Sequence, residues 1–194
     1  MPISVLRLAI LTASTRTGRM GLTISGWLDG VVKEHPEFEP DTVHLADYPL
    51  PPAPSLQPGP EVRVLAERLA ERLARADAFV IVTPEYNHSF PAALKIAVDW
   101  NYVQWQAKPV AFVSYGGRSG GLRAVEQLRQ VFGELHAVTL RDGVSFHAPG
   151  DTFDGSGQPT DLDGCGSAAK TMLDQLAWWG RVLANARREQ PYGS

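Results

Sequence analysis

Ala78-Phe79-Val80-Ile81-Val82 is apolar without alternation, and Thr83-Pro84-Glu85-Tyr86-Asn87-His88-Ser89 follows it directly. An unbroken apolar run of this length fits a strand covered on both faces, as in a parallel sheet packed between helices. Such a strand ends in a loop at the carboxyl edge of the sheet, where open α/β sheets bind their ligands. This loop places a carboxylate, an aromatic ring and an amide between Pro84 and Pro91. It is stiff, polar and flat-faced, and it suits a planar heteroaromatic ligand better than a sugar or a metal.

Outward from this run, apolar strands and helical patterns alternate. Val5 to Leu11 is strand-like, and a helical face of Ile24, Trp27, Leu28, Val31 and Val32 follows. Thr42 to Leu45 is a short second strand. Asp47 to Pro60 holds six of the fifteen prolines and so cannot be regular structure. Glu61 to Asp77 is an amphipathic helix with Val62, Leu65, Leu69 and Leu73 inward and a solvated charged face. Past the quoted loop, a helix runs from Pro91 to Trp100, and Pro109 to Ser114 is the fourth strand. Gly116 to Gly121 then leads to a helix bearing Leu122, Val125, Leu128 and Phe132. Ala137 to Leu140 is the fifth strand, residues 141–159 read as irregular, and a last helix covers Thr160 to Arg188. Five strands alternating with five helices specify an α/β fold, a parallel sheet with helices on both faces. The pattern alone does not order the strands, but the short connections suit the flavodoxin-like order 2-1-3-4-5. No linker or repeat divides the chain, so residues 1–194 are expected to form a single domain.

Composition narrows the function. A chain of 194 residues, 44% apolar and 20% charged, can bury a full core. Its net charge of −3 offers no strong field for nucleic acid or an anionic membrane. The single cysteine, Cys165, excludes a disulfide framework or a cysteine metal cluster and fits a cytoplasmic location. In Asp-Gly-Cys-Gly-Ser it has no neighbouring histidine to activate it. The N-terminal apolar stretch is too short for a signal peptide, and no run approaches the ~18 apolar residues of a membrane span.

In the order 2-1-3-4-5, the loops after strands 1, 3 and 4 meet at the switch point. The first, Thr12 to Gly21, offers hydroxyls, Arg16 and Arg19, and two glycines just before a helix, which suits a phosphate. It is neither a Walker loop nor a dinucleotide fingerprint, and a capping loop with a surface arginine is the plainer alternative. In the second, Tyr86 can stack or flank a ring and amides near Asn87 can donate to it. Asn87 and Ser89 can equally cap the helix at Pro91. His88, as a general base, lacks a carboxylate partner apart from Glu85. The third, Tyr115 to Gly121, lets the backbone approach a flat ligand at a ring edge.

Together these loops resemble the NADPH-dependent FMN reductase family, which includes quinone, chromate and azo-dye reductases. The resemblance covers about residues 5 to 140 and is carried most specifically by Pro84-Glu85-Tyr86-Asn87. It implies bound FMN, with the phosphate against Ser14, Arg16, Met20 and Gly21 and the isoalloxazine against Pro84, Glu85, Tyr86, Asn87, Tyr115, Gly116 and Gly117. It also implies NADPH or NADH as hydride donor, a small-molecule electron acceptor, no side chain obliged to act as acid or base, and a homodimer or homotetramer. Arg118 is a candidate for the phosphate of the nicotinamide cofactor. Two departures stand out: Ala13 where the family commonly has glycine, and Ile96 where it commonly has asparagine in a helix near a subunit interface. Trp100, Tyr102 and Trp105 read either as an interface or pocket wall or as core. The alternative function is a flavin-bearing electron carrier, against which the modest net charge argues.

Overall fold

The computed structural model describes residues 5–193. Six strands form one parallel sheet: β1 (Leu6–Thr12), β2 (Phe38–His44), β3 (Ala78–Pro84), β4 (Pro109–Gly116), β5 (Val138–Thr139) and β6 (Val144–His147). The helices are α1 (Gly21–Glu34), α2 (Pro60–Arg75), α3 (Ala92–Asp99), α4 (Leu122–Glu134), α5 (Pro149–Thr152) and α6 (Leu162–Glu189). The strand order is β2-β1-β3-β4-β5, the expected flavodoxin-like order, with β6 also paired to β4.

Residue alternation along the strands divides the core into two layers. Leu6, Leu8 and Ile10 of β1 and Ala78, Val80 and Val82 of β3 pack with α1 and α6. Ala9, Leu11, Phe79 and Ile81 point the other way and pack with α2, α3 and α4. Each fully buried leucine or phenylalanine contributes about 1.5–3 kcal/mol relative to exposure. Every residue of β3 is buried, which accounts for its unpatterned apolar run.

Four corrections concern the elements. β2 begins at Phe38 rather than Thr42 and includes Pro40. As an edge strand it tolerates a residue without an amide donor. Strands β3 and β4 run on through Pro84 and Gly116, so Pro84, Tyr115 and Gly116 lie at strand ends rather than in loops. The fifth strand is shorter than expected, only Val138–Thr139. The segment read as irregular contains β6, whose Val144 and Phe146 are buried and whose His147 is exposed. Both β5 and β6 pair with β4, at Pro109–Val110 and at Val113–Gly116, so one edge strand is interrupted by residues 140–143. The break passes close to β4: a side chain at Gly143 would stand 2.6 Å from the Phe112 carbonyl.

The charged face of α2 is also more than a solvated surface. Arg72 donates to the Asp41 carboxylate, to the Thr42 carbonyl and to the Tyr48 hydroxyl, so it ties α2 to β2. Trp105 is fully buried against Phe79 and Phe132 and is core. Trp100 is partly buried and donates from Nε1 to the Pro51 carbonyl, 2.8 Å, pinning the proline-rich segment. Tyr102 is exposed, and Ile96 packs partly against the α2–α4 layer. Among the described residues no helix is long and apolar enough to cross a membrane.

Candidate functional site

At the carboxyl ends of β1, β3 and β4 the three expected loops come together. Ser14 Oγ and Tyr86 Oη are 2.7 Å apart, joining the first loop to the second. The Arg16 guanidinium lies 3.7 Å from the centroid of the Tyr86 ring, a stacking contact that leaves its N–H groups at the edge of the ring. The Glu85 amide donates to the Tyr115 carbonyl, 2.9 Å, and joins the second loop to the third.

The first loop leads into α1, whose cap residue Met20 supplies no side-chain hydrogen bond. The helix therefore keeps free amides and partial positive charge at its start. The amides of Ser14 to Gly18 donate to no described residue. Gly21, the first residue of α1, is there for space: a side chain would stand 2.8 Å from Tyr115 Oη and 3.1 Å from Thr12. Tyr115 is 6% exposed, and its buried Oη meets no described residue in a hydrogen bond of ordinary geometry, with Ser14 and the Gly21 amide lying beside it. Burial pushes the phenol up to about 12, with neighbouring Ser14 pulling the other way. A second buried orphan lies in the same loop, Arg19 Nε, while Arg19 Nη1 donates to the Arg16 carbonyl at 3.4 Å. Unpaired buried polar atoms are rare and call for a specific reason.

The second loop is a tight turn. Tyr86 N donates to Ser89 O at 2.8 Å and Ser89 N to Tyr86 O at 3.1 Å, with Asn87 at φ 50° and His88 at φ 72°. Two left-handed central residues make this a type I′ geometry. Neither Asn87 nor Ser89 caps α3, whose N-cap Pro91 has no side-chain bond. Ser89 Oγ instead donates to Gln127 on α4. Asn87 and His88 are exposed. The Glu85 carboxylate, 8% exposed, turns toward α4, accepting from the Arg123 amide at 3.2 Å and pairing with its guanidinium at 3.3 Å. Burial works to raise its pKa, but hydrogen bonds from Ser119 and Arg123 hold it below the ordinary value.

In the third loop, a side chain at Gly116 would meet Gly121 N at 3.1 Å, whereas one at Gly117 would meet nothing within 4 Å. Gly117 thus borders open space. The loop is backed by residues that periodicity did not mark: Ala148 N donates to the Gly116 carbonyl at 2.8 Å, and His147 Nδ1 lies 3.1 Å from the Arg118 carbonyl. The Arg118 residue is exposed. Cys165 lies far along the chain in the first turns of α6, where burial and then Asp161 push its thiol up, the reverse of an activated nucleophile. Among the described residues no group of three or more His, Cys, Asp or Glu could hold a metal ion.

The profile of the NADPH-dependent FMN reductase family matches residues 6–150. An NAD(P)H-dependent FMN reductase of Schizosaccharomyces pombe is 35% identical over 136 residues, 66% of this chain and 66% of that protein. A quinone reductase of Escherichia coli K12 is 41% identical over 101 residues, 50% and 53% of the two chains. The chain thus aligns with just under two thirds of the first of these relatives and about half of the second. Among solved structures, FerB of Paracoccus denitrificans, a flavoenzyme NAD(P)H:(acceptor) oxidoreductase, superposes with a TM-score of 0.70 at 22% identity, over 91% of this chain and 97% of that one.

Proposed function

This chain belongs to the NADPH-dependent FMN reductase family, and on that premise we propose that it is an FMN-dependent oxidoreductase. In this reading FMN supplies the redox chemistry, taking hydride from NADPH or NADH and passing it to a quinone, a second flavin or a similar small-molecule acceptor in ping-pong exchange. The whole chain, residues 1–194, acts as one FMN-binding domain.

The residues present fit this cofactor. The observation that carries the reading is the cluster of unpaired donors at the start of α1: Tyr115 Oη, Arg19 Nε and the amides of Ser14 to Gly18. A phosphate is rich in acceptors and negative, and a helix N-terminus favours it. Ser14, Arg16, Met20 and Gly21 would hold that phosphate, and Arg19, a cation of the same loop that the resemblance did not include, would join them. Pro84, Glu85, Tyr86, Asn87, Gly116 and Gly117 would line the isoalloxazine, whereas Tyr115, expected among them, would turn its Oη to the phosphate loop beside Gly21. Glu85 contributes there by placing its loop rather than by its carboxylate, which Arg123 occupies. Arg118, exposed at the rim, would meet the phosphate of a nicotinamide cofactor. No side chain is required as acid or base, and Glu85, the one carboxylate near His88 in sequence, pairs with Arg123 instead. A homodimer or homotetramer is the proposed assembly, with Tyr102, Val103 and Leu122 supplying exposed apolar surface.

The test is the visible spectrum of the purified protein before and after anaerobic NADPH. A flavin absorbance that bleaches on addition is the expected result. A colourless protein whose NAD(P)H oxidation is not supported by added FMN overturns the reading. A bound flavin that NADPH and NADH both fail to bleach returns the electron carrier.

A further inference from the structure

The turn that carries Asn87 and His88 is held from outside. Left-handed φ values at two successive residues other than glycine persist only where the surroundings over-determine them. Asparagine and histidine are among the non-glycine residues that visit this region most often, but two in succession are uncommon. The two Tyr86–Ser89 backbone bonds close the turn but do not anchor it to the fold. Gln127, on α4, does. Its Nε2 donates to the His88 carbonyl at 2.8 Å, and its Oε1 accepts from Ser89 Oγ at 2.6 Å. One turn earlier on the same helix face, Arg123 grips Glu85 on the other flank of the loop. With both flanks tied to α4, the amides of Asn87 and His88 are left exposed and donate to no described residue.

We propose that Gln127 is a positioning residue: by binding His88 and Ser89 together it holds the left-handed Asn87–His88 turn and aims its two free amides at the flavin ring. This rests on the FMN reading above. Gln127 touches neither cofactor nor substrate and acts only through the turn.

The test compares wild type with Gln127→Ala, Gln127→Glu and Ser89→Ala, all as apo-protein titrated with FMN and with riboflavin. Gln127→Ala is expected to raise the dissociation constant about tenfold for both ligands, because the phosphate contacts are untouched. Ser89→Ala, which removes one bond, is expected to raise it about threefold. The visible band shape of the bound flavin changes in both variants, while the apo melting temperature moves by less than about 3 °C. Unchanged affinity and band shape, or a loss confined to FMN, overturns the proposal. If Gln127→Ala does not fold, Ser89→Ala and Gln127→Glu decide it by the same criteria. A wild-type protein that binds neither ligand would sink the FMN reading instead. In that case the amide resonances of Asn87 and His88 in the apo-protein still decide the brace: they shift in Gln127→Ala if it exists and stay in place if it does not.

Discussion

The two ends of the sheet treat their polar groups in opposite ways. At the amino end, Lys108 is buried and donates to the Leu73 and Ala74 carbonyls at 2.9 and 3.0 Å, closing the end of α2. Asp77 accepts from the Arg7 amide at 3.0 Å and pairs with Arg187, which also reaches the Ala107 carbonyl. At the carboxyl end, Tyr115 Oη and Arg19 Nε are buried without partners and the amides of Ser14 to Gly18 donate to no described residue. The amino end ties its charged donors into the fold, leaving Trp105 Nε1 as a lone buried donor without a described partner, whereas the carboxyl end gathers its unpaired donors around one loop.

The largest expected effect is at the amino end. Lys108→Ala removes a buried stem and leaves two helix-terminal carbonyls without their donor, so it should cost about 2–4 kcal/mol of stability. Flavin affinity should stay within about twofold in a fluorescence titration if the two ends are as independent as their bonding implies. A large loss of affinity in a still-folded protein would break the comparison.

The same lysine has a pH signature. Burial lowers its pKa to about 8, with the Arg187 charge adding to the shift and Asp77 opposing it. Unfolded, the group titrates near 10.4. Between those values the unfolded chain binds more protons than the folded one, so Lys108 makes stability rise with pH over that window. The gain is at most about 3 kcal/mol by linkage. Tyr115 works oppositely above pH 10, since its phenol is held neutral up to about 12 in the fold. Urea unfolding from pH 8 to 10, wild type against Lys108→Met, isolates the lysine; equal slopes in the two proteins would remove it as the cause.

Tyr115→Phe probes the other end. Deleting a buried hydroxyl that lacks a partner should leave the apo-protein as stable or about 1 kcal/mol more so. The same change should weaken FMN about tenfold and riboflavin much less, because Tyr115 Oη sits at the phosphate loop. A stability loss without an affinity loss would mean that the hydroxyl serves the fold and that the two ends are not so different.

The fold was legible because β1, β3 and β4 are buried on both faces and their apolar runs leave little ambiguity. The edge was less so. β6 follows Arg141-Asp142-Gly143, which reads as the end of a strand, yet its Val144 and Phe146 alternate with Ser145 and His147 as a half-buried strand should. The three site loops could be located from the strands that precede them. Arg123 and Gln127 could not: each matters because of an atom that tertiary packing brings to it, and Gln127 is an ordinary polar residue on a helix in every local respect. Sequence spacing reveals which loops meet, but not which side chain from another element holds them.

The smallest effect separates the two ends in their backbones. Ala107 at the amino end and His88 at the carboxyl end both have positive φ, 51° and 72°. Glycine relieves the strain of that conformation but adds freedom to the unfolded chain, so Ala107→Gly should stabilise by only about 0.5 kcal/mol. Its φ sets the chain's path into β4, where its amide donates to the His136 carbonyl and its own carbonyl accepts from Arg187, all at the amino end, so flavin binding should not change. His88→Gly should give a similar small gain in the apo-protein, because the same strain is released. It should nevertheless loosen the turn, because glycine explores a wider range of φ and ψ than histidine even with Gln127 still bound to the backbone carbonyl at position 88, and so raise the flavin dissociation constant about twofold to threefold. Paired melting and titration of the two variants would show whether identical backbone relief has a functional cost at one end only. If His88→Gly binds flavin as tightly as wild type, the left-handed turn is a by-product of packing, as it is at Ala107, and not a feature of the site.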